Sequence, residues 1–175
     1  MSPGEKDPPS AAYARELAAW LGGRQPLDIL AATPAALTLA VEGLADAQLR
    51  RPEAPGKWSV IEVVQHLADV ELVLGFRLRL ILAEPTPTLT AMNQDLWARE
   101  LGYGRVALAD AQEQFRLLRA ANLRLVRSVE PARLDRIGIH AERGPESARD
   151  TLALYAGHDA RHLAQIARIR RAIGA

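Results

Sequence analysis

The chain has 175 residues, with 22 lysines and arginines against 21 aspartates and glutamates, for a formal net charge of +1. This balance gives no electrostatic reason to expect nucleic acid or an acidic membrane as a partner. Cysteine is absent, which excludes disulfides, thiolate metal ligands and a thiol nucleophile supplied by the protein itself.

The first ten residues, MSPGEKDPPS, are polar and rich in proline. They predict a flexible N-terminal arm over residues 1–10 and lack the apolar core of a signal peptide. No apolar stretch reaches the roughly 18 residues that a membrane helix needs. We therefore expect a cytoplasmic protein without a membrane partner, with a single domain over residues 11–175.

Alanine, leucine and arginine dominate the rest of the chain, a composition that favours helices. A short helix is predicted through AAYARELAAWL, ending at Gly22 and Gly23. The first long helix should run from about Pro26 to Gly43, and Pro34 is expected to kink or split it.

The second long helix has the clearest start signal in the sequence. Ser59 precedes the helix and Glu62 follows three residues later, the spacing of a capping box. This pattern predicts a helix from about Val60 to Ala83, with His66 bordering its inward face. The inward positions are Val60, Val63, Leu67, Val70, Leu74, Leu78 and Ile81.

Two prolines in EPTPTLTAMNQ end that helix, and DLWARELGY predicts one or two further helical turns. A third long helix is expected from about Leu108 to Val129, followed by a loop from about Pro131 to Pro145. Ser147, with Asp150 three residues later, predicts the start of a last helix that ends near Ala172. Its inward positions are Leu152, Tyr155, His158, His162, Ile166, Ile169 and Ile173.

Four long helices with turn-length to moderate connections predict an all-α fold, a four-helix bundle with short extra helices. The sequence leaves the order of connections open.

His158 and His162 lie four residues apart, so that one helix face can direct two ring nitrogens at a single point. His66, near the start of the second long helix, is the obvious third ligand for a divalent ion. Three neutral imidazoles would leave a coordination position for water or substrate. The alternative is that these histidines are core or rim residues with other partners and no metal.

The segment HDARH also has the spacing of the metalloprotease pattern H-E-x-x-H, with Asp159 in the place of the general-base glutamate. Aspartate is one methylene shorter, which makes the protease interpretation the weaker one. Asp159, and Asp69 one turn after His66, are expected either to orient a ligand imidazole or to be solvated or ion-paired carboxylates.

Five further residues are candidates for lining a pocket. Trp58 precedes the capping serine and either packs against the core at the helix entry or lines a pocket mouth. Asn93, Gln94 and Trp97 follow the prolines, and His140 lies in the loop before the last helix; solvated loop positions are the alternative for all four. The sequence identifies no catalytic acid or base.

The blocks GKWSVIEVVQHLADVE and GHDARHLAQI resemble the two signatures of the DinB-like superfamily. This superfamily includes the bacillithiol-transferase group, once described as metal-dependent hydrolases, and it is distinct from the translesion polymerase that shares its name. The similarity spans about Leu27 to Ile173.

The resemblance implies that His66, His158 and His162 are the three metal ligands of the family, commonly for nickel or zinc. It also implies a four-helix bundle of the DinB type, often a homodimer. The segment MNQDLW resembles the family's loop after the second helix, but it carries Asn93 where some relatives have an acidic residue.

Members of the family with known activity often join a low-molecular-weight thiol to an electrophile. The resemblance therefore favours a metal-dependent thiol S-transferase with a small-molecule substrate, a function consistent with a protein that has no cysteine of its own. Hydrolysis by an activated water and a non-catalytic, stress-associated binding or scaffold bundle stay open as alternatives.

Overall fold

The computed structural model describes residues 10–175, with side chains from residue 13 onward. Most of the flexible arm expected over residues 1–10 thus lies outside the described residues, and Ser10 already begins a helix. The helices are α1 (Ser10–Ala19), α2 (Pro26–Val41), α3 (Asp46–Leu49), α4 (Val60–Ala83), α5 (Gln94–Glu100), α6 (Leu108–Ser128) and α7 (Ala148–Ile173). Short 3-10 turns cover Tyr103–Arg105 and Pro131–Asp135.

The four long helices α2, α4, α6 and α7 form a four-helix bundle, which confirms the predicted fold class. Both α6 and α7 pack against α2 and α4, so that α2 and α4 lie diagonally across the bundle. The short helix α1 packs against α7. None of the helices in this part of the chain is long and apolar enough to cross a bilayer.

The apolar core is divided into two clusters along the bundle axis. One cluster contains the early residues of α2 and α7 together with the late residues of α4 and α6. The other cluster contains the late residues of α2 and α7 together with the early residues of α4 and α6. The helices α2 and α7 therefore run in one direction, and α4 and α6 run in the other. The sequence left this connectivity open.

A layer of buried polar side chains lies between the two apolar clusters, with contributions from all four bundle helices. Its members are Thr33, His66, Glu71, Arg119, His158, Asp159 and His162. Buried polar groups are costly unless they are paired, so the partners of this layer determine what it does.

Pro34 lies inside α2, which continues through it as a single helix rather than splitting. Proline has no N–H, so the carbonyl of Leu30 loses its usual helical partner. The guanidinium of Arg119 donates to this carbonyl at 2.6 Å and thereby satisfies it from another helix.

The predicted helix starts at Ser59 and Ser147 are confirmed. The Glu62 carboxylate accepts hydrogen bonds from the backbone N–H and the hydroxyl of Ser59, at 2.8 and 2.6 Å. Ser147 accepts from the backbone N–H of Asp150 at 3.0 Å. All inward positions predicted for α4 and α7 are buried.

The loop predicted from Pro131 to Pro145 is wrong in part, because this region contributes to a small sheet. Strands β1 (Thr88–Leu89), β2 (Ile137–His140) and β3 (Gly144–Ser147) pair in that order, β1–β2 parallel and β2–β3 antiparallel. On β2 the isoleucines face outward, while Gly138 and His140 are buried. The sequence carries no strand signal here, because the strands have only two to four residues and the apolar side chains of β2 face outward.

Gly157 allows α1 to lie directly against α7, because a Cβ at this position would overlap the backbone carbonyl of Leu17. We expect Gly157→Ala to lower the free energy of unfolding by about 1–3 kcal/mol through this overlap, against a gain in helix propensity of up to about 1 kcal/mol. Urea denaturation measures the change. In the matched control Gly104→Ala, the new methyl would meet Glu62 at an ordinary 3.8 Å. Equal unfolding midpoints for the two variants would contradict the close approach.

Candidate metal centre

Two adjacent bundle helices carry the three predicted ligands into the polar layer. The capping box at Ser59 fixes the start of α4 and so places His66 almost two turns into that helix. His158 and His162 lie one turn apart on the inward face of α7. All three side chains are buried, so the structure brings together the residues that the sequence singled out.

The three imidazoles converge through their Nε2 atoms. The Nε2 atom of His158 lies 3.1 Å from that of His66 and 3.0 Å from that of His162. A metal bound at 2.0–2.1 Å in tetrahedral geometry holds its nitrogen ligands about 3.3 Å apart. The three ligand atoms all lie within 4.8 Å of one another, so the residues fit a divalent ion with little adjustment.

Burial keeps these imidazoles neutral. Burial is the main cause that lowers the pKa of His66 and His158 well below the ordinary value, and the neighbouring His162 lowers both further. Burial and the charge of Arg161 lower the pKa of His162 to about 4. At neutral pH each ring therefore keeps a free nitrogen lone pair, which is the form that binds metal.

Trp58 closes one side of the histidine cluster. Its ring centroid lies 4.9 Å from that of His66, and 6.5 Å from that of His162 in a stacked arrangement. Trp58 and His162 also line an open cavity of about 670 Å³, a size that suits a small-molecule site. The buried cluster is thus reached from solvent beside His162.

The rim of this cavity carries more positive than negative charge. Lys57, Arg161, Arg168 and Arg171 line it together with two carboxylates. Glu53 forms an ion pair with Arg168 at 2.7 Å, and Glu16 lies 3.7 Å from Arg161.

Comparison with known proteins agrees with this geometry. The family model described as the DinB superfamily matches residues 29–166. The chain belongs to the DinB superfamily.

Relatives of this DinB-superfamily chain come from several bacilli. A protein of Bacillus licheniformis is 32% identical over 170 residues, which cover 95% of this chain and 92% of the relative. YfiT of Bacillus subtilis is 31% identical over 152 residues, 85% of this chain and 84% of YfiT. Both carry the name "Putative metal-dependent hydrolase".

The fold is also that of a solved structure. YfiT from Bacillus subtilis, described as "a probable metal-dependent hydrolase with an unusual four-helix bundle topology", matches with a TM-score of 0.79 at 27% identity. The match covers 85% of this chain and 86% of the other. Family, fold and geometry together identify a metal-binding protein of the DinB superfamily.

Gln165 is a site residue of this DinB-superfamily chain that the sequence analysis missed. Its side-chain Oε1 lies 2.7 Å from Nδ1 of His162. A carbonyl oxygen only accepts, so Nδ1 carries the ring hydrogen and Nε2 faces the metal position. The spacing of three residues from His162 on one helix was the available signal.

The two aspartates proposed to orient ligand imidazoles have other partners. Asp69 accepts hydrogen bonds from Gln65, Tyr103 and Gln114 at 2.7–3.0 Å. Asp159 is fully buried and lies 2.8 Å from Arg119 Nη1, so the ion-paired alternative describes it. Any additional effect of either carboxylate on a ligand imidazole stays a prediction.

The remaining pocket candidates have different locations. Gln94 lines the cavity beside Trp58, whereas Asn93, Trp97 and His140 are not among its lining residues. Asn93 is exposed and caps α5 by accepting from the backbone N–H of Leu96 at 3.0 Å. Trp97 is half-buried on α5. His140, expected in a loop, is instead buried on β2.

We expect Gln165→Leu to weaken metal binding by about 10- to 100-fold, the usual effect of removing a hydrogen-bond partner of a ligand histidine. The physical reason is that Nδ1 of His162 loses its acceptor and the ring loses its orientation. Titration of the metal-free protein in competition with a chelator measures the affinity. Gln165→Glu keeps an acceptor and should retain tight binding; a Leu variant that binds as tightly as Gln165→Glu would contradict this role.

Proposed function

We propose that this chain is a metal-dependent enzyme that activates a low-molecular-weight thiol for S-transfer to an electrophile at the three-histidine site. The observation that carries the proposal is the convergence of three neutral imidazoles beside an open cavity. A divalent ion held by three imidazoles supplies an open coordination position that stabilises a thiolate at neutral pH. The chain has no cysteine, so the thiol would be a co-substrate.

The chain's own residues would hold and shield this site. His66, His158 and His162 would bind the ion through Nε2, and Gln165 fixes the hydrogen of His162 on Nδ1. The indole of Trp58 covers the imidazoles and limits the access of water. The cavity beside Trp58 and His162 has room for a small thiol and its electrophile.

The carboxylates near the ligands in sequence already have partners. Asp69 is held by three side-chain donors and Asp159 by the guanidinium of Arg119. Neither is an uncommitted base, so the bound ion itself would have to supply the acidity of a thiol or of a water nucleophile.

We further propose nickel or zinc as the ion. The donor set consists of imidazole nitrogens alone, and these ligands suit zinc, nickel and other late first-row metals rather than magnesium or calcium. Elemental analysis of protein purified without added metal tests this choice.

Hydrolysis by an activated water is the second candidate. The names of the Bacillus relatives favour it, since both are called "Putative metal-dependent hydrolase". The same three ligands and open position would serve this reaction.

A paired assay separates these functions. Metal-loaded protein is mixed with cellular thiols and a generic alkylating electrophile, and in parallel with simple ester and amide substrates. We expect thiol alkylation above the uncatalysed rate that is lost on chelation and in His162→Ala. Metal-dependent hydrolysis without alkylation would establish the hydrolase. Stoichiometric metal without either activity would favour the binding or scaffold bundle.

We also propose a cytoplasmic homodimer that acts on a small molecule and binds neither nucleic acid nor membrane. The homodimer rests on the family resemblance, and sedimentation velocity of the full chain tests it. A single species with the mass of one chain at micromolar concentration would contradict it.

A further inference from the structure

A second cluster of buried polar groups lies between α4, α7 and the small sheet. Arg77 on α4 is only 5% exposed and donates to the hydroxyl of Tyr155 at 2.9 Å and to the carbonyl of Thr90. His140 on β2 is only 2% exposed. Arg143, in the turn between β2 and β3, completes the set. We call Arg77, His140, Arg143 and Tyr155 the donor cluster, because the Tyr155 hydroxyl, which accepts from Arg77, still has its own hydrogen to donate.

Three buried nitrogens of the donor cluster have no hydrogen-bond partner among the described residues: Arg77 Nε, Arg143 Nη2 and His140 Nε2. The first two are always donors. Nδ1 of His140 accepts from the backbone N–H groups of Glu142 and Arg143 at 3.1 and 3.3 Å. The hydrogen of the neutral ring is therefore on Nε2, so the third atom is a donor as well.

The donor cluster also carries a surplus of positive charge. The hydrogen-bond partners of Arg77 are a phenol and a backbone carbonyl, both neutral. Glu146 is the carboxylate that contacts the cluster, and its two oxygens are taken by Arg143 at 2.7 Å and by the Thr151 hydroxyl at 2.8 Å. Of the two guanidinium groups, Arg143 therefore pairs with a carboxylate, whereas the hydrogen-bond partners of Arg77 carry no charge.

The lowered pKa of His140 is consistent with this surplus of positive charge. Burial, followed by the charges of Arg143 and Arg77, lowers the pKa of His140 to about 4, although Glu146 acts in the opposite direction. His140 is therefore neutral at physiological pH and presents a single N–H from Nε2.

A water molecule would satisfy this cluster poorly, because water donates two hydrogens that would need acceptors of their own. An anion only accepts, and it would also neutralise the surplus charge. We propose that the donor cluster of Arg77, His140, Arg143 and Tyr155 binds the carboxylate or another small oxyanion group of a ligand.

The position of the cluster connects it with both solvent and the metal centre. Arg143, Glu146 and Asp150 line an open cavity of about 310 Å³ on the face where α1 meets α7 and β3, which offers a route of entry; the Asp150 carboxylate accepts from the Ser147 hydroxyl. Tyr155 lies one turn before His158 on α7, with ring centroids 6.3 Å apart. The proposed site nevertheless uses none of the three metal ligands and does not depend on the chemistry performed there.

Titration of the full chain with sodium acetate and with inorganic phosphate, at ionic strength held constant with chloride, tests the proposal. We expect one of the two anions to shift the ring NMR signals of His140 saturably and to raise the melting temperature. Arg143→Gln should weaken this binding at least tenfold, and Arg77→Leu should abolish it. The matched control Arg149→Gln removes an exposed arginine paired with Asp135 and should bind like wild type.

The two anions separate a carboxylate ligand from a phosphate ligand, and His162→Ala separates this site from the metal centre. Retained binding in His162→Ala supports the proposal, whereas its loss would place the anion at the metal centre and overturn it. A response that is equal in wild type, Arg77→Leu and Arg143→Gln, or the absence of saturable binding of both anions, would overturn it as well. Because Arg143 is partly exposed, Arg143→Gln keeps the test valid if Arg77→Leu fails to fold.

Discussion

Replacing His162 with alanine is expected to lower the affinity for a divalent transition metal by more than about 100-fold, because loss of even an outer hydrogen-bond partner of a ligand costs 10- to 100-fold. The Nε2 atom of His162 lies 3.0 Å from that of His158 and would supply one of the three proposed ligands. The remaining pair, His66 and His158, cannot hold an ion tightly while leaving a coordination position open.

Metal content by mass spectrometry and competition with a chromophoric chelator measure this loss. His140→Gln is the matched control, since it removes the chain's remaining histidine and leaves the triad intact. Circular dichroism and urea denaturation of the metal-free proteins separate loss of binding from loss of fold. A His162→Ala protein that is folded and binds metal as tightly as wild type would refute the three-histidine centre.

The histidine cluster was predictable from the sequence because two local signals agree with the structure. The capping box at Ser59 fixes where α4 begins, and with it the face on which His66 lies. The i, i+4 spacing of His158 and His162 fixes their common face on α7. Each signal acts within one helix, whereas the assignment of His66 to the same site as the pair on α7 was supported by the family resemblance.

The connectivity and the sheet were not predictable in the same way. Apolar periodicity shows which face of a helix is inward but not which helix it meets. The parallel direction of α2 and α7 became visible only from the division of the core into two clusters. In the sheet, pairing partners such as Thr88 and Ile139 come from distant parts of the chain.

The buried charge on α6 was not predictable from the sequence, because there an apolar residue faces outward and a charged residue faces inward. In the α6 segment FRLLRAAN, Leu117 is exposed and Arg119 is buried. The partners that make this burial favourable, Glu71 and Asp159, come from α4 and α7. A single sequence indicates an amphipathic helix here, but it does not show that a guanidinium is the inward residue.

Arg119→Leu is expected to lower the free energy of unfolding by about 3–5 kcal/mol, the usual cost of removing one partner of a buried ion pair. Arg119 Nη2 lies 2.8 Å from Glu71, and Nη1 lies 2.8 Å from Asp159. Both carboxylates are fully buried. Burial already raises the pKa of Glu71 despite the charge of Arg119, so without this cation the carboxyl would take up a proton more readily and offset part of the cost.

The matched control is Arg116→Leu on the same helix. Arg116 pairs with Glu113 at 2.7 Å at the surface, and loss of such an exposed pair costs about 1 kcal/mol or less. Urea denaturation of both variants at pH 7 measures the difference. Equal free energies of unfolding would mean that the buried network contributes no more than a surface pair.

Pro34 provides a second test of the same network. In Arg119→Leu the Leu30 carbonyl loses its donor, because Pro34 has no N–H to offer. Adding Pro34→Ala supplies a helical N–H at this position and should recover about 1 kcal/mol. In the wild-type background, where Arg119 already satisfies the carbonyl, the new N–H should contribute less. A gain from Pro34→Ala that is the same in both backgrounds would show that Arg119 and the Leu30 carbonyl are energetically independent, and the polar layer would then be held by its charges alone.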